Sequence, residues 1–328
     1  MARPLRIEYE GAFYHVTTRG NDKKKIFLSA KDYDKFLSYL SEACQKYGVI
    51  LHAYVLMGNH YHLIVETPQA NLSVFMHSIN SPYTTYFNIK RKRSGHLFQG
   101  RYKAILVEKD SYLLGLSRYI HLNPVNAHMV GKPEEYAMSS YAAYISSSEE
   151  SMVSRDLIWG MISPKSRKKA PGLYAEFVTS ALKGTQPDPF EHTYGGMILG
   201  TKPFIKETLK RLDTDTIHKN ETSYKRALSS THDIEEIIRM LSLHFKVSED
   251  EIINTSPYKA YAVYLSRNYT PASNIQIGKY FGKISSSAVT KIRSRIKERM
   301  AKDKKVRQEI TKIEDDLSHV NGLLPNFP

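Results

Sequence analysis

The chain has 328 residues, 41% hydrophobic and 24% charged, a size and composition that suit a globular protein with a sizeable core. Its 47 Lys and Arg against 33 Asp and Glu leave a formal charge of +14, which favours polyanionic partners; a membrane surface is the less favoured of these, since no strongly basic amphipathic helix with a Trp/Phe/Leu face is evident. A single cysteine, Cys44, excludes an intrachain disulfide and a thiolate metal cluster and suits a reducing cytoplasm; no apolar run approaches the ~18 residues of a membrane span, and the charged first residues lack a signal-peptide core.

The elements are read in chain order. Ala12 to Arg19 is rich in aromatic and β-branched residues and is closed by Gly20-Asn21, which predicts a strand. Apolar residues near helical spacing (Tyr33, Phe36, Leu37, Leu40) predict a helix over Ser29 to Tyr47, capped by Ser29 or Asp32. Leu51 to Met57 and His60 to Glu66 are strands joined by a Gly58-Asn59 turn. Leu72 to Ile89 is a helix that runs into the basic stretch Lys90 to Arg93. Tyr102 to Val107 is a strand, and Asp110 to Leu122 a helix stopped by Pro124. The order β-α-β-β-α-β-α predicts an α+β, ferredoxin-like antiparallel sheet with helices on one face.

Beyond this, Ser146 to Ser154 reads as a linker, and Leu199-Gly-Thr as a turn. Asp233 to Phe245, Pro257 to Asn268, Ile275 to Phe281 and Ser286 to Lys302 are helices. The last two read as a helix-turn-helix, with Lys291, Arg293 and Arg295 on a recognition helix. Three parts follow: 1–145, the α+β domain; 146–230, a linker and helical extension; 231–328, a helical domain with the DNA-binding helix-turn-helix pattern.

Two patterns carry chemistry. In His60-Tyr61-His62 the strand period of two puts both imidazoles on one face, where they can hold a divalent ion and leave positions open. On the last helix of the first part, Tyr119 and Asn123 are four residues apart and share a face. The amide of Asn123 can complete a His-His-Asn site, and the phenol of Tyr119 can attack an electrophile held there.

At these residues the sequence resembles the single-tyrosine HUH transposases, and more narrowly the REP-associated tyrosine transposases. The resemblance rests on four segments in order, Tyr14 to Asn21 (YHVTTRGN), Tyr54 to Leu63 (YVLMGNHYHL), Phe98 to Lys103 (FQGRYK) and Tyr119 to Ala127 (YIHLNPVNA), within about the first 145 residues. Pro133 to Tyr141 fits as well, with Met138 in place of the family's Trp. The resemblance implies that His60 and His62 are metal ligands, that Asn123 stands where relatives carry a polar third ligand, often Gln, and that Tyr119 is the nucleophile. It implies Mg²⁺ or Mn²⁺ as cofactor, single-stranded or hairpin DNA as partner, and a monomer. The implied reaction is tyrosine attack on a phosphodiester, giving a 5′-phosphotyrosine and a free 3′-hydroxyl. Tyr112 and Tyr102 are rival nucleophiles. Arg19, Asn21, Arg91, Arg93, Arg101 and Lys103 are candidate DNA contacts, with Arg3 and Arg6 in the N-terminal segment. Residues 261–300 resemble the DNA-binding domain of the replication initiator DnaA, which departs at Ser285 to Ser287. Two other readings are a DNA-binding regulator without strand transfer and a metal-dependent nuclease.

Overall fold

The structure, a computed structural model, describes residues 7–146, 148, 150–184, 188–191, 193–211 and 232–320. Two compact units emerge. One is built on Arg6–Thr193 and Met197–Glu207, the other on Thr208–Pro328.

The first unit holds a five-stranded sheet in the order β2-β3-β1-β4-β5. Strands β1 (Ala12–Arg19), β2 (Ile50–Met57), β3 (His60–Thr67) and β4 (Lys103–Val107) pair antiparallel, with the expected ferredoxin-like topology. The expected turn at Leu199 is instead part of β5 (Ile198–Leu199), parallel to β4, so the sheet is mixed. Leu106 and Glu108 donate their N–H groups to Met197 and Leu199 across this edge. Two residues are too few to show strand alternation in a sequence.

Helices α1 (Ala30–Tyr47) and α2 (Leu72–Lys90) cover one face. Ser29 and Asp32 form a capping box at the start of α1, and Gly48, at φ 63, ends it in the left-handed conformation. Phe36 packs on Tyr61 of β3 and on Tyr83 of α2, with ring centroids 4.7 and 5.2 Å apart. The third helix, α3 (Lys109–Asn126), lies against the opposite face and runs through Pro124, where the sequence had predicted its end. Proline removes one helical donor, yet Ile120, Leu122 and Pro124 are all buried, and that packing outweighs the missing bond. The continuation keeps Asn123 helical, one turn beyond Tyr119.

Residues expected as linker and extension pack into this same unit. They form α5 (Asp156–Ile162) and α6 (Ala170–Ser180), which lie against α3 together with α4 (Tyr141–Ile145), the last helix of the 1–145 part. The buried His121 of α3 anchors them. Its Nδ1 lies 2.7 Å from the Tyr174 hydroxyl, and its Nε2 lies 2.8 Å from Ser140 Oγ. Tyr174 donates onward to Ser117 Oγ (2.9 Å), and Ser117 donates to the Leu114 carbonyl (2.7 Å). Tyr174 therefore accepts from His121, and the Ser140 hydroxyl faces both His121 Nε2 and the Tyr54 carbonyl, 3.2 Å away. Burial lowers the imidazole to about 3, so it stays neutral in this chain of bonds. This arrangement ties α3 to α6 through Tyr174 and, through Ser140, to Tyr54 of β2.

The second unit is helical: α8 (Ile234–Phe245), α9 (Glu249–Asn254), α10 (Tyr258–Tyr269), α11 (Asn274–Tyr280), α12 (Ser286–Lys302) and α13 (Lys304–Val320), numbered after α7 (Lys202–Arg211). Asp233, Ser248, Ser273 and Ser285 cap α8, α9, α11 and α12 by accepting a backbone N–H three residues on. The core includes Ile237, Leu241, Ile252, Leu265, Ile277, Phe281, Val289, Ile310 and Ile313.

The turn between α11 and α12 depends on Gly278, where an added Cβ would sit 2.1 Å from the Ile284 carbonyl oxygen. Because the obstacle is backbone, Gly278→Ala is expected to cost the second unit about 1–3 kcal/mol. Gly115→Ala in α3, where nothing lies within 4 Å, is expected to stabilise the first unit by about 0.5–1 kcal/mol. Chemical denaturation of both variants checks the pair, and equal effects would contradict the packing argument.

Candidate active site

The sheet register assembles the site. Directly opposed residues of an antiparallel pair share a face. His60 is opposite Arg19, His62 is opposite Thr17, and Thr17 is opposite Lys103. One pleat further along, His15 is opposite Ile64 and Ile105. His15, Thr17, Arg19, His60, His62 and Lys103 therefore project from the face that α3 covers, while Tyr61 projects to α1 and α2. Tyr61 donates to Asn80 Oδ1 at 2.7 Å on that other side.

Tyr119 of α3 comes down onto this row. Its ring meets His62 edge-on, with centroids 6.1 Å apart, and the His60 and His62 centroids are 5.0 Å apart. These three residues, with Asn123, Thr17, Thr18, Arg19, Gln99, Gly100, Arg101 and Lys103, line a cavity of about 550 Å³. A neighbouring cavity of about 460 Å³ shares Thr17, His62, Lys103 and Tyr119 and adds His15, Asp188 and Phe190.

The electrostatics suit a cation-assisted reaction on a phosphate. Burial, with the nearby charge of Arg19, lowers His60 to about 4. Burial, with His60 beside it, lowers His62 to about 3. Both imidazoles are therefore neutral near pH 7, as metal ligation requires. Asn59 donates its Nδ2 to the Lys23 carbonyl at 3.1 Å, which aims its Oδ1 at His60 Nδ1, 2.6 Å away. His60 Nδ1 must then carry the proton, and its Nε2 keeps the lone pair. His62 Nδ1 is likewise engaged, 2.8 Å from His15 Nε2. Among the described residues no group of three or more His, Cys, Asp or Glu could hold a metal. Two neutral nitrogens with an adjacent amide still fit a divalent ion that fills its other positions with phosphate oxygen and water.

Burial raises the Tyr119 phenol above the ordinary tyrosine value; Asn123 opposes this by hydrogen bonding, and Asp188 adds to it. Asn123 also donates to the Tyr119 carbonyl at 3.3 Å. Burial lowers Lys103, with Asp188 opposing.

The other candidates are placed differently. Arg19, Arg101 and Lys103 line the cavity; Asn21 does not, and its backbone N–H bonds to the Leu97 carbonyl at 2.9 Å. Arg91 is paired with the buried Asp32 at 2.6 Å, and Arg93 donates to the His96 carbonyl at 3.1 Å. The rival Tyr102 lies on the α2 side, its hydroxyl 3.4 Å from Ser73 Oγ, and Tyr112 lines neither cavity. In the second unit Lys291 is exposed on α12, while Arg293 Nε donates to Asn268 Oδ1 at 3.0 Å. Arg3 and Arg6 lie outside the described residues. Sequence reading gave no role to His15, Asn59, Thr17, Gln99, Asp188 or Phe190. Of these, His15 and Thr17 had a signal, since they alternate with Arg19 on the histidine face of β1.

No helix among the described residues is long and apolar enough to cross a membrane. Residues 8–123 match the family model described as IS200-like transposase. The chain is similar to a solved structure titled as a REP-associated tyrosine transposase bound to a REP hairpin, with 15% identity, 46% of this chain and 90% of that chain covered, and a TM-score of 0.41. It is also similar to a putative transposase from Deinococcus radiodurans R1, with 17% identity, 36% and 95% coverage, and a TM-score of 0.27. No curated protein matches the sequence.

Proposed function

We propose that this chain, whose residues 8–123 match the IS200-like transposases, is a DNA strand transferase that cuts single-stranded or hairpin DNA with Tyr119. One observation carries the reading: α3 sets the Tyr119 phenol against the paired imidazoles of His60 and His62, in a cavity lined by Arg19, Arg101 and Lys103.

In this reading the phenol oxygen of Tyr119 attacks the scissile phosphorus in line. The new P–O bond joins tyrosine to the 5′ side, the bond to O3′ breaks, and the phenol proton is exchanged for one on the departing 3′-hydroxyl. Bond energy is conserved, so a second 3′-hydroxyl can reverse the attack and join a new strand. His60, His62 and Asn123 would hold Mg²⁺ or Mn²⁺, which when bound polarises the phosphate and offsets charge developing on it. Arg19, Arg101 and Lys103 neutralise neighbouring phosphates, and a monomer suffices for this chemistry. We assign the catalytic role to residues 1–145, braced by part of 146–230. We assign DNA docking to 231–328, with α11 and α12 as a helix-turn-helix presenting Lys291 and Arg293.

The test uses hairpin-forming single-stranded oligonucleotides labelled at either end, incubated with the full chain and Mg²⁺ or Mn²⁺ and run on a denaturing gel. A slow adduct that keeps the label from the 3′ end, with a matching free 3′-hydroxyl fragment, is expected. Free 5′-phosphate ends without an adduct would favour a nuclease, and binding without cleavage a regulator.

A further inference from the structure

His15 lies on β1 outside every role assigned so far, and it is 2% exposed. Its ring lies nearly coplanar with His62, with centroids 5.0 Å apart at 18°, and stacks on Phe190 with centroids 4.6 Å apart at 24°. Phe190 also meets the Tyr119 ring edge-on, with centroids 5.4 Å apart. One ring thus braces both His15 and the tyrosine.

His15 Nε2 and His62 Nδ1 are 2.8 Å apart, and a hydrogen bond between them has room for one proton. If His15 carries it, neutral His62 must be protonated on Nε2 and has no lone pair there. If His62 carries it on Nδ1, its Nε2 keeps the lone pair and His15 Nε2 accepts. Binding of a cation at Nε2 is compatible with the second arrangement alone. Ligating histidines are generally oriented in this way by a partner on the other ring nitrogen. Here the partner is a neutral imidazole, as Asn59 is a neutral amide for His60. Neither adds negative charge, so the full positive charge of a bound ion would face the phosphate.

We propose that His15 is a positioning residue that fixes His62 in the tautomer able to hold the divalent ion. The proposal rests on the reading that His60 and His62 are ligands of that ion. Phe190 supplies the stack that keeps the His15 ring in plane with its partner.

The test is Mn²⁺ binding to the full chain without DNA, followed by the loss of the free-ion electron paramagnetic resonance signal. The variants are His15→Phe, which keeps a ring and removes the acceptor; His15→Gln, which returns an acceptor near the same point; and His62→Ala. His15→Phe is expected to weaken binding about 10–100-fold. His15→Gln is expected within about threefold of the parent, and His62→Ala to lose the site. Parent-like binding by His15→Phe, with His62→Ala lost, would overturn the role of His15 and leave the metal site standing. So would His15→Gln as weak as His15→Phe, because returning an acceptor would then not restore binding. Should His15→Phe fail to fold, His15→Gln against a non-accepting His15→Leu decides by the same criterion. No Mn²⁺ binding by the parent, or equal binding by His62→Ala, would remove the metal site itself and the inference with it.

Discussion

Tyr119→Phe is expected to abolish the covalent protein–DNA adduct, a loss of at least ~10³-fold, with the fold intact. The substitution removes one oxygen and keeps the ring that packs against His62 and Phe190. Stability should therefore change by less than about 1 kcal/mol. The comparison that gives the result meaning is with the two nearby tyrosines. Tyr112→Phe and Tyr102→Phe should form the adduct at parent levels. Tyr112 is two turns from Tyr119 along α3 but lines neither cavity, and Tyr102 faces Ser73 across the sheet. Gel detection of the adduct from all three variants, with matched circular dichroism, settles the point. An adduct that persists in Tyr119→Phe, or vanishes in Tyr112→Phe, would displace the nucleophile.

The second large effect concerns stability. Asp32 is fully buried, yet it takes Lys90 Nζ and Arg91 Nη2, both at 2.6 Å. It also accepts the backbone N–H groups of Leu28 and Ser29 at 2.9 and 3.0 Å, closing the cap of α1. Burial pushes its carboxyl upward, but the Lys90 bond, the Leu28 N–H and the two positive charges prevail and hold it at about 2. Asp32→Ala removes the acceptor for the Leu28 and Ser29 N–H groups and leaves Lys90 and Arg91 without their carboxylate. The expected cost to the first unit is about 3–5 kcal/mol, toward the lower figure because both cations are partly exposed. The sign of the pH dependence follows from the lowered carboxyl. Its contribution is fully present above the unfolded value near 4 and is lost as pH falls through about 2. The gap between parent and variant, measured by urea denaturation, should therefore be constant from pH 7 to 5 and shrink between pH 4 and 2. A difference below 1 kcal/mol at pH 7 would show that the pair is dispensable. The same geometry explains why Arg91 stands apart from the cavity: its guanidinium is committed to tying α2 to the start of α1.

Acid should weaken this unit from another direction as well. His121 is neutral in the fold at about 3, while an unfolded histidine titrates near 6.5, so the unfolded state binds more protons between these values. Stability rises with pH across that window, by up to about 1.4 kcal/mol per pH unit from this residue.

Much of the first unit was legible in the sequence because its signals are local. The aromatic and β-branched run Ala12–Arg19, the strand His60–Glu66, the Ser29 cap, the Gly58-Asn59 turn and the i, i+4 spacing of Tyr119 and Asn123 each involve a few neighbouring residues. Local sterics and hydrogen bonding act at that range. The strand period alone put His60 and His62 on one face, and the composition alone pointed to a polyanion. What the tertiary structure decided are matters of register and packing between distant segments. Pairing β1 with β3 set Arg19 beside His60 and brought His15 within a hydrogen bond of His62, 47 residues away. The two-residue β5 exists because the open edge of β4 had donors to satisfy. Pro124 stays within α3 because buried neighbours compensate for its missing donor. Tyr174 and Trp159 draw an expected extension onto the back of α3, since aromatic surface gains more by burial than by remaining in a linker. The residue types that carry the chemistry were written in the chain; their distances from one another were set by which surfaces water excluded and which backbone groups needed partners.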